Sequence, residues 1–455
     1  QSGGLGLMSA QWIVDGEPEY DMFPWDLARY GNWANKAFTK ERVRDQYGNR
    51  FKIHMPYEER DAGRPLKTRP VYEKQKELGC VFGLNYGWEH PLWFAPQGVE
   101  PKEDYGFKRQ DWWHHVKSEC DNLRTNVGIV DVSNFGKYEV KGQGASQWVD
   151  KIIANNVPKE IGRSCLTPLI GIRGGVAGDF TVTKLDDEHF FIVGSGMAER
   201  YHIRFFEMVE RPNSVDFQSL TEEMCGFNVA GPKSRTLLSR MTQEELSNEN
   251  WKFMRSRSIT IAGIDAIAIR VSFTGDLGWE IYVKTENQLK LYEALLETGA
   301  DLGVKPVGGR SLLSLRVEKG YGSWGREYSP EYWPQEVGLD RLIKLDKPSF
   351  LGKEAYLKVK DQKPREKLVV LEVNADRNAD PAGGEPVFLR DGTPVGRVTS
   401  GAYGYTCDKS LAICMIKTDH AIDGNEFHVA VIGQNHDAVM LKEAPFDPLG
   451  DRLRG

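Results

Sequence analysis

The stretch FTGDLGWEIY, residues 273–282, carries the strongest local signal in this chain. Its pattern predicts a strand, a tight glycine turn and a second strand that has Glu280 just past the turn. A carboxylate beside Trp279, Ile281 and Tyr282 is an unusual choice for packing, because a buried unpaired charge is costly. Its two oxygens match a planar group with two adjacent N–H donors, either a structural arginine or the ring of a ligand.

Two neighbouring signals have both a structural and a functional interpretation. Phe273, seven residues before Glu280, could stack on a flat ring or fill the core. Asp179 follows the glycine-rich turn of GGVAGDFTVT, residues 174–183. It is either a turn residue or a buried anion that stabilises a cation and moves a proton.

A third candidate is the segment GGRSLLSLRVEKGYGSWGREY, residues 308–328. It predicts a helix with Arg310 near its start, followed by an aromatic turn that contains Trp324. This segment is either a helix with solvated charges and a packed turn, or the wall of a pocket.

Composition excludes several classes of protein. The chain has 455 residues and a net charge of −6 with both signs interspersed, which argues against nucleic-acid and membrane partners. Six cysteines without a Cys-x-x-Cys pair predict free thiols in a reducing compartment. His114 and His115 are adjacent, so their side chains point apart, and without a third ligand we expect no metal site.

The order of the elements predicts an α+β protein with a separate β-rich end. Strands are predicted at residues 137–142, 180–185, 189–194, 258–273 and 279–284. Helices are predicted at residues 145–155, 197–211 and 286–299. Closely spaced strands with glycine turns at residues 365–443 predict a small β-barrel or β-sandwich.

Many ordered motifs give the chain a family resemblance. They are SGGLGLMSAQWIVDGEP, GWEHPLWF, VDVSNFGKYEVKG, FNVAGPKSR, FTGDLGWEIY, LRVEKGYGSWG, FLGKEA, VGRVTSGAYGY and APFDP. With them the chain resembles the C-terminal, folate-binding part of the dimethylglycine oxidase, dimethylglycine dehydrogenase and sarcosine dehydrogenase group. That part is in turn similar to the aminomethyltransferase, or T-protein, of the glycine cleavage system.

The resemblance implies an α+β, aminomethyltransferase-like folate-binding domain followed by a small C-terminal β-barrel. We expect four segments: a remnant of an FAD-dependent oxidoreductase domain at 1–20, a connector at 21–78, the folate-binding domain at 79–345 and the barrel at 346–455. Because the chain begins at Gln1 with a glycine-rich helix, we expect it to be a piece of a longer protein.

The resemblance also implies roles for six residues. Asp179 matches the acid beside the reactive nitrogens of tetrahydrofolate, and Thr181 matches a residue next to it. Glu280 matches the carboxylate that grips the pterin, and Phe273 stands where relatives often have tyrosine. Trp324 and Arg310 match residues along the pterin and the folate tail. T-proteins commonly carry two adjacent acids here, whereas this chain has Gly178 as the first, a departure shared with the dehydrogenase branch.

The expected function is one-carbon transfer. In the longer protein a flavin oxidises a methylated amine to an iminium ion, which this chain condenses with tetrahydrofolate to give 5,10-methylenetetrahydrofolate. The expected partners are folate, a methylated amine, and a flavin domain in cis or on another chain. The expected compartment is the cytoplasm, or the mitochondrial matrix in a eukaryote. Two alternatives stay open: a non-catalytic regulatory homologue, and a folate-dependent O- or S-demethylase.

Overall fold

The computed structural model describes residues 2–375 and 379–455. The chain divides into two compact units. The first consists of Gln1–Tyr30, Phe135–Thr221 and Gly322–Leu368, and the second of Gly31–Asn134, Glu222–Tyr321 and Val369–Gly455.

Helices and strands are numbered in chain order. The α-helices of the described residues are α1 (Ser2–Asp15), α2 (Lys36–Gly48), α3 (Tyr72–Glu77), α4 (Trp112–Thr125), α5 (Ala145–Ile152), α6 (Glu199–Glu207), α7 (Ser234–Ser239), α8 (Gln288–Thr298), α9 (Gly309–Glu318), α10 (Lys353–Val359) and α11 (Asp451–Arg454). The strands are β1 (Cys80–Asn85), β2 (Trp88–Phe94), β3 (Val127–Asp131), β4 (Gly136–Lys141), β5 (Ser164–Ile170), β6 (Val176–Asp186), β7 (His189–Gly194), β8 (Asp216–Ser219), β9 (Met224–Ala230), β10 (Ser256–Ile261), β11 (Ile264–Ile269), β12 (Gly278–Lys284), β13 (Val304–Val307), β14 (Glu366–Val373), β15 (Pro386–Phe388), β16 (Pro394–Gly404), β17 (Lys409–Lys417), β18 (Glu426–Val431) and β19 (Gln434–Met440).

The first unit is built on a five-stranded antiparallel sheet in the order β5-β6-β7-β4-β8. Helices α5 and α6 are amphipathic and bury aromatic side chains, among them Trp148 and Phe206, against this sheet. Phe180 and Val182 of β6 point into the same core. Because side chains alternate along a strand, Asp179 and Thr181 lie on the opposite face of β6.

The second unit contains a six-stranded sheet in the order β10-β11-β12-β9-β3-β13. All neighbours pair antiparallel except β13 and β3, which are parallel. One face of β12 carries Trp279 and Ile281 into an apolar core that α8 covers with Leu291 and Leu295. The opposite face of β12 carries Glu280 and is therefore available for a polar site.

A closed six-stranded barrel completes the second unit, in the order β14-β17-β16-β15-β18-β19. Its interior is filled by aliphatic side chains such as Val387, Ile416 and Val429, all of them inaccessible to solvent. Closure leaves the sheet without an edge, which is how small β domains avoid unpaired backbone groups. The expected α+β fold with a C-terminal barrel is confirmed, and a β-sandwich is not what forms.

One predicted strand is wrong in its extent. Residues 258–273 do not form a single strand, because β10 and β11 make an antiparallel hairpin with Ile261 opposite Ile264. The two turn residues, Ala262 and Gly263, have φ angles of 50° and 72°, the left-handed geometry of a tight hairpin turn. The strand before the FTGDLGWEIY turn consequently ends at Ile269, and Phe273 lies in a loop.

Three further findings concern the cysteines, possible metal ligands and possible membrane-spanning helices. All six cysteines are free thiols, as predicted. Among the described residues, no group of three or more His, Cys, Asp or Glu side chains is arranged to bind a metal ion. None of the described helices combines the length and hydropathy that a membrane crossing requires.

Candidate functional site

Asp179 and Thr181 share the face of β6 that points away from the core of the first unit. Both residues are half-buried, and they lie opposite Pro168 and Leu166 of the edge strand β5. Burial raises the pKa of the Asp179 carboxyl to about 6, although a hydrogen bond from its own backbone N–H acts in the other direction. A carboxylate with this pKa is mostly ionised at neutral pH, yet it can take up a proton at modest cost.

Tyr328 is a neighbour of Asp179 that sequence reasoning missed. Burial raises the pKa of the Tyr328 phenol well above its ordinary value, and the negative charge of Asp179 raises it further. The phenol therefore remains protonated and can act as a hydrogen-bond donor. It stands only four residues after Trp324, so the aromatic turn at 320–328 was the available signal.

Trp324 lies in the core of the first unit. Its exposed fraction is 5%, and its Nε1 donates to the carbonyl oxygen of Ala177 on β6 at 3.1 Å. Its ring packs edge-on against Phe23, with 4.7 Å between ring centroids. These contacts are those of a packed tryptophan that supports the strand of Asp179, and a direct role beside the pterin stays a prediction.

Glu280 is the buried carboxylate of the second unit. It pairs with Asn228 of β9 on one side and Ile269 of β11 on the other, and its exposed fraction is 7%. The Tyr282 hydroxyl donates to Glu280 Oε2 at 2.7 Å. Burial raises the pKa of Glu280 to about 7, and this hydrogen bond opposes the rise.

The loop between β11 and β12 holds Phe273 in a defined place. Phe273 is half-buried and stacks on Tyr321, with 5.9 Å between centroids and an interplanar angle of 23°. The preceding Ser272 donates from its hydroxyl to Asn228 Oδ1 at 3.0 Å. The aromatic side chain expected at this position thus packs on Tyr321, a ring of the aromatic turn that the sequence predicts after the helix at 308–328.

Gly275 is a glycine for two physical reasons. Its φ angle is +79°, a backbone conformation that residues with a Cβ rarely adopt. An added Cβ would also lie 2.4 Å from Cγ of Lys319. The loop can therefore close on Lys319 only with glycine at this position.

Arg310 is the sixth predicted site residue, and its guanidinium forms an ion pair with a carboxylate of the protein. Its Nε and Nη2 donate to Glu103 at 2.7 and 2.6 Å, which is a bidentate ion pair. Trp112 and Tyr57 pack on the same guanidinium, at 4.4 and 4.9 Å from their ring centroids. This is the geometry of a structural arginine, and its role toward a folate tail stays a prediction.

Three domain families match the chain. The GCVT N-terminal domain covers residues 71–347, and the glycine cleavage T-protein C-terminal barrel domain covers residues 366–447. The FAD dependent oxidoreductase central domain covers residues 15–68.

Known relatives are similar over nearly the whole chain. The mitochondrial dimethylglycine dehydrogenase of Rattus norvegicus is 35% identical, over 97% of this chain and 52% of the relative. The 4-methylaminobutanoate oxidase (formaldehyde-forming) of Paenarthrobacter nicotinovorans is 32% identical, over 99% of this chain and 55% of the relative. The chain thus spans about half the length of these relatives.

A solved structure has the same fold. The glycine cleavage system aminomethyltransferase T from Bartonella henselae superposes with a TM-score of 0.73 at 22% identity. The superposition covers 84% of this chain and 99% of that protein.

Proposed function

Because the chain belongs to the glycine cleavage T-protein family, as its sequence motifs predicted, we propose that it binds tetrahydrofolate for one-carbon transfer. The longer protein of which it would be part is an FAD-dependent oxidase or dehydrogenase of N-methyl amines. This proposal follows the relatives that match nearly all of the chain.

The observation that carries the proposal is the environment of Glu280. Among the described residues, its carboxylate accepts one hydrogen bond, on Oε2, which leaves Oε1 for a ligand. A pterin ring presents two adjacent N–H donors in one plane, and a carboxylate is their natural acceptor. Phe273 lies in the loop that leads into the same strand and offers a flat apolar surface for a ring. The residues present therefore fit a reduced pterin.

Asp179 has the properties required of the acid–base group. When bound, tetrahydrofolate supplies the nucleophilic nitrogens that accept the one-carbon unit. The half-buried Asp179 carboxylate would stabilise a positively charged carbon, since charges interact more strongly where water is scarce. With a pKa of about 6 it can also take up a proton and return it during the transfer. Thr181 shares its face of β6 and would help to bind the cofactor.

The remaining parts of the proposal concern the longer protein. FAD and the methylated amine would bind to a flavin domain in cis or on another chain, and no residue of this chain is assigned to either. The compartment would be the cytoplasm, or the mitochondrial matrix in a eukaryote, as for relatives that are named mitochondrial.

Calorimetry with tetrahydrofolate tests the proposal directly. We expect the 455-residue chain to bind it, and Glu280→Gln to weaken binding about tenfold to a hundredfold. The reason is that hydrogen bonds to a charged acceptor contribute roughly 1.5–3 kcal/mol. The control is Glu286→Gln, which changes an exposed glutamate shortly after β12 and should bind as the unaltered chain does.

Calorimetry, followed by analysis of the folate product, separates the alternatives. A chain that does not bind tetrahydrofolate would contradict the proposal and favour the regulatory homologue. Folate binding with methyltetrahydrofolate as the product would instead indicate the O- or S-demethylase.

A further inference from the structure

The hydroxyl of Tyr282 and the carboxylate of Glu280 form a pair on one face of β12. The two residues stand two positions apart, so their side chains lie on the same face of the strand. The hydroxyl oxygen is 2.7 Å from Oε2 of Glu280. Tyr282 is inaccessible to solvent and Glu280 is 7% exposed, which makes this a buried, charge-assisted hydrogen bond.

The neighbouring strand fixes the position of the Tyr282 ring. Gly226 of β9 lies directly opposite Tyr282. A Cβ added at Gly226 would lie 2.7 Å from both Cδ1 and Cε1 of the ring. The ring therefore packs on the backbone of β9, in space that is free because residue 226 is glycine. This packing fixes the direction of the Tyr282 hydroxyl.

Other groups that face Glu280 cannot replace this donor. Asn228, opposite Glu280 on β9, donates from Nδ2 to the carbonyl of Val271 and accepts from Ser272. Ile269, opposite on β11, has no polar side-chain atom. Among the described residues, the Tyr282 hydroxyl is thus the titratable group in contact with the Glu280 carboxylate.

We propose that Tyr282 is a positioning residue whose hydroxyl keeps Glu280 oriented and ionised, so that the carboxylate can bind two adjacent N–H groups of a reduced pterin ring. This inference rests on the proposed function and names the residue that prepares its main acceptor. A protonated carboxyl presents an O–H donor where the ring also presents a donor, so it cannot accept both hydrogen bonds.

The electrostatics of the pair agree with this role. Burial and the charge of Glu280 both raise the pKa of Tyr282 well above its ordinary value, so the hydroxyl remains a donor throughout the neutral range. Its hydrogen bond acts against the burial that raises the pKa of Glu280 to about 7. Without the hydroxyl, the pKa of Glu280 would rise further, and Glu280 would be protonated at neutral pH.

The test measures tetrahydrofolate affinity of Tyr282→Phe by calorimetry across the neutral pH range. For the unaltered chain we expect affinity to increase with pH through about 7, where Glu280 ionises. For Tyr282→Phe we expect about fivefold weaker binding at pH 7, because raising the pKa of Glu280 by one unit lowers its ionised fraction from about one half to about one tenth. The midpoint of its pH profile should move up by about one pH unit, because each unit corresponds to about 1.36 kcal/mol.

Tyr292→Phe is the matched control. Tyr292 is also buried in the second unit, but its hydroxyl has no hydrogen-bond partner among the described residues. Its removal should change neither the affinity nor the pH profile. An unchanged profile in Tyr282→Phe, with normal binding by the unaltered chain, would overturn this inference alone. If the unaltered chain does not bind tetrahydrofolate, both the proposed function and this inference are wrong.

Discussion

Asp179 and Glu280 are acids whose protonation is set by their surroundings. Burial is the main cause that raises the pKa of each, to about 6 for Asp179 and about 7 for Glu280. Among the described residues neither carboxylate forms an ion pair with a lysine or arginine. Structural carboxylates are usually paired, so these two residues have the character of functional-site groups.

Replacing Asp179 by asparagine tests its chemical role. In the protein that also carries the flavin domain, we expect Asp179→Asn to leave amine oxidation intact. The yield of 5,10-methylenetetrahydrofolate should fall about 10²-fold to 10⁴-fold, the usual contribution of a positioned acid–base group. The yield of the unaltered protein should fall as the pH drops through about 6, and this inflection should be absent in the variant.

Asp186→Asn is the control for this prediction. Asp186 ends the same strand and is exposed. We expect its replacement to change neither the yield nor the pH profile. A normal yield from Asp179→Asn, measured by product analysis with oxidation running at its usual rate, would contradict the assigned role.

Gly178 shows why an adjacent acid does not fit here. Its side chain would point to the core face of β6, opposite to Asp179. An added Cβ would lie 2.9 Å from Nε2 of His202, a histidine inaccessible to solvent. Burial lowers the pKa of His202 to about 3, so its imidazole is neutral at neutral pH. The buried His202 ring thus occupies the space that a side chain at position 178 would need.

At the scale of elements, the loop before β12 is held by an ion-pair network around the buried carboxylate of Asp276. Arg124 of α4 donates to Asp276 and to the carbonyl of Thr274, both at 2.8 Å, and to Glu318 at 2.8 Å. Arg452 of α11 donates to the other oxygen of Asp276 at 2.9 Å. Two helices that are far apart in the sequence, α4 and α11, thus position the loop that carries Phe273.

Asp276→Asn tests the contribution of this network. Removing one partner of a buried ion pair costs about 3–5 kcal/mol, because a buried charge is left uncompensated. Arg124 keeps Glu318 as a partner, so we expect a loss of about 2–4 kcal/mol in the free energy of unfolding. Urea denaturation followed by tryptophan fluorescence measures it. Tetrahydrofolate affinity should also fall, since the loop of Phe273 loses its support.

The control removes an exposed ion pair of similar geometry. Asp301 accepts two hydrogen bonds from Arg240, at 2.6 and 3.0 Å, on the surface of the second unit. Exposed pairs contribute little, so Asp301→Asn should leave the urea midpoint almost unchanged. Equal effects of the two substitutions would contradict the importance of the buried network.

At the scale of the whole molecule, the chain spans about half the length of its relatives. It covers 52% of the length of the rat dimethylglycine dehydrogenase and 55% of the 4-methylaminobutanoate oxidase. Flavin chemistry requires a bound cofactor, because amino-acid side chains do not carry out hydride transfer from an amine.

We therefore expect the 455-residue chain alone to bind tetrahydrofolate without oxidising a methylated amine. Purified protein should show no visible flavin absorbance, and it should form no methylenetetrahydrofolate from dimethylglycine or sarcosine. A longer polypeptide with the flavin domain should show flavin absorbance and form methylenetetrahydrofolate from these amines. If product analysis detected amine oxidation by the 455-residue chain, the assignment of oxidation to a separate flavin domain would be contradicted.

The sequence predicted the fold well where a local pattern was sufficient. Most of the strands and helices of the first unit were located to within a few residues, because their apolar periodicity is strong. The run at 258–273 was misjudged, since a continuous apolar stretch does not show where a two-residue turn reverses it. The barrel at the C-terminal end followed from closely spaced strands and glycine turns.

The sequence by itself determined the family, the order of the elements, and the positions of Asp179 and Glu280 as candidate acids, because motifs and periodicity are local properties of the chain. Only the tertiary structure decided which partners these residues and their neighbours have. It paired Arg310 with Glu103, placed Gly226 under the Tyr282 ring, and set His202 against Gly178. Each of these contacts joins residues that are distant in the sequence. Long-range contacts of this kind depend on how strands and helices pack, and no local pattern encodes them.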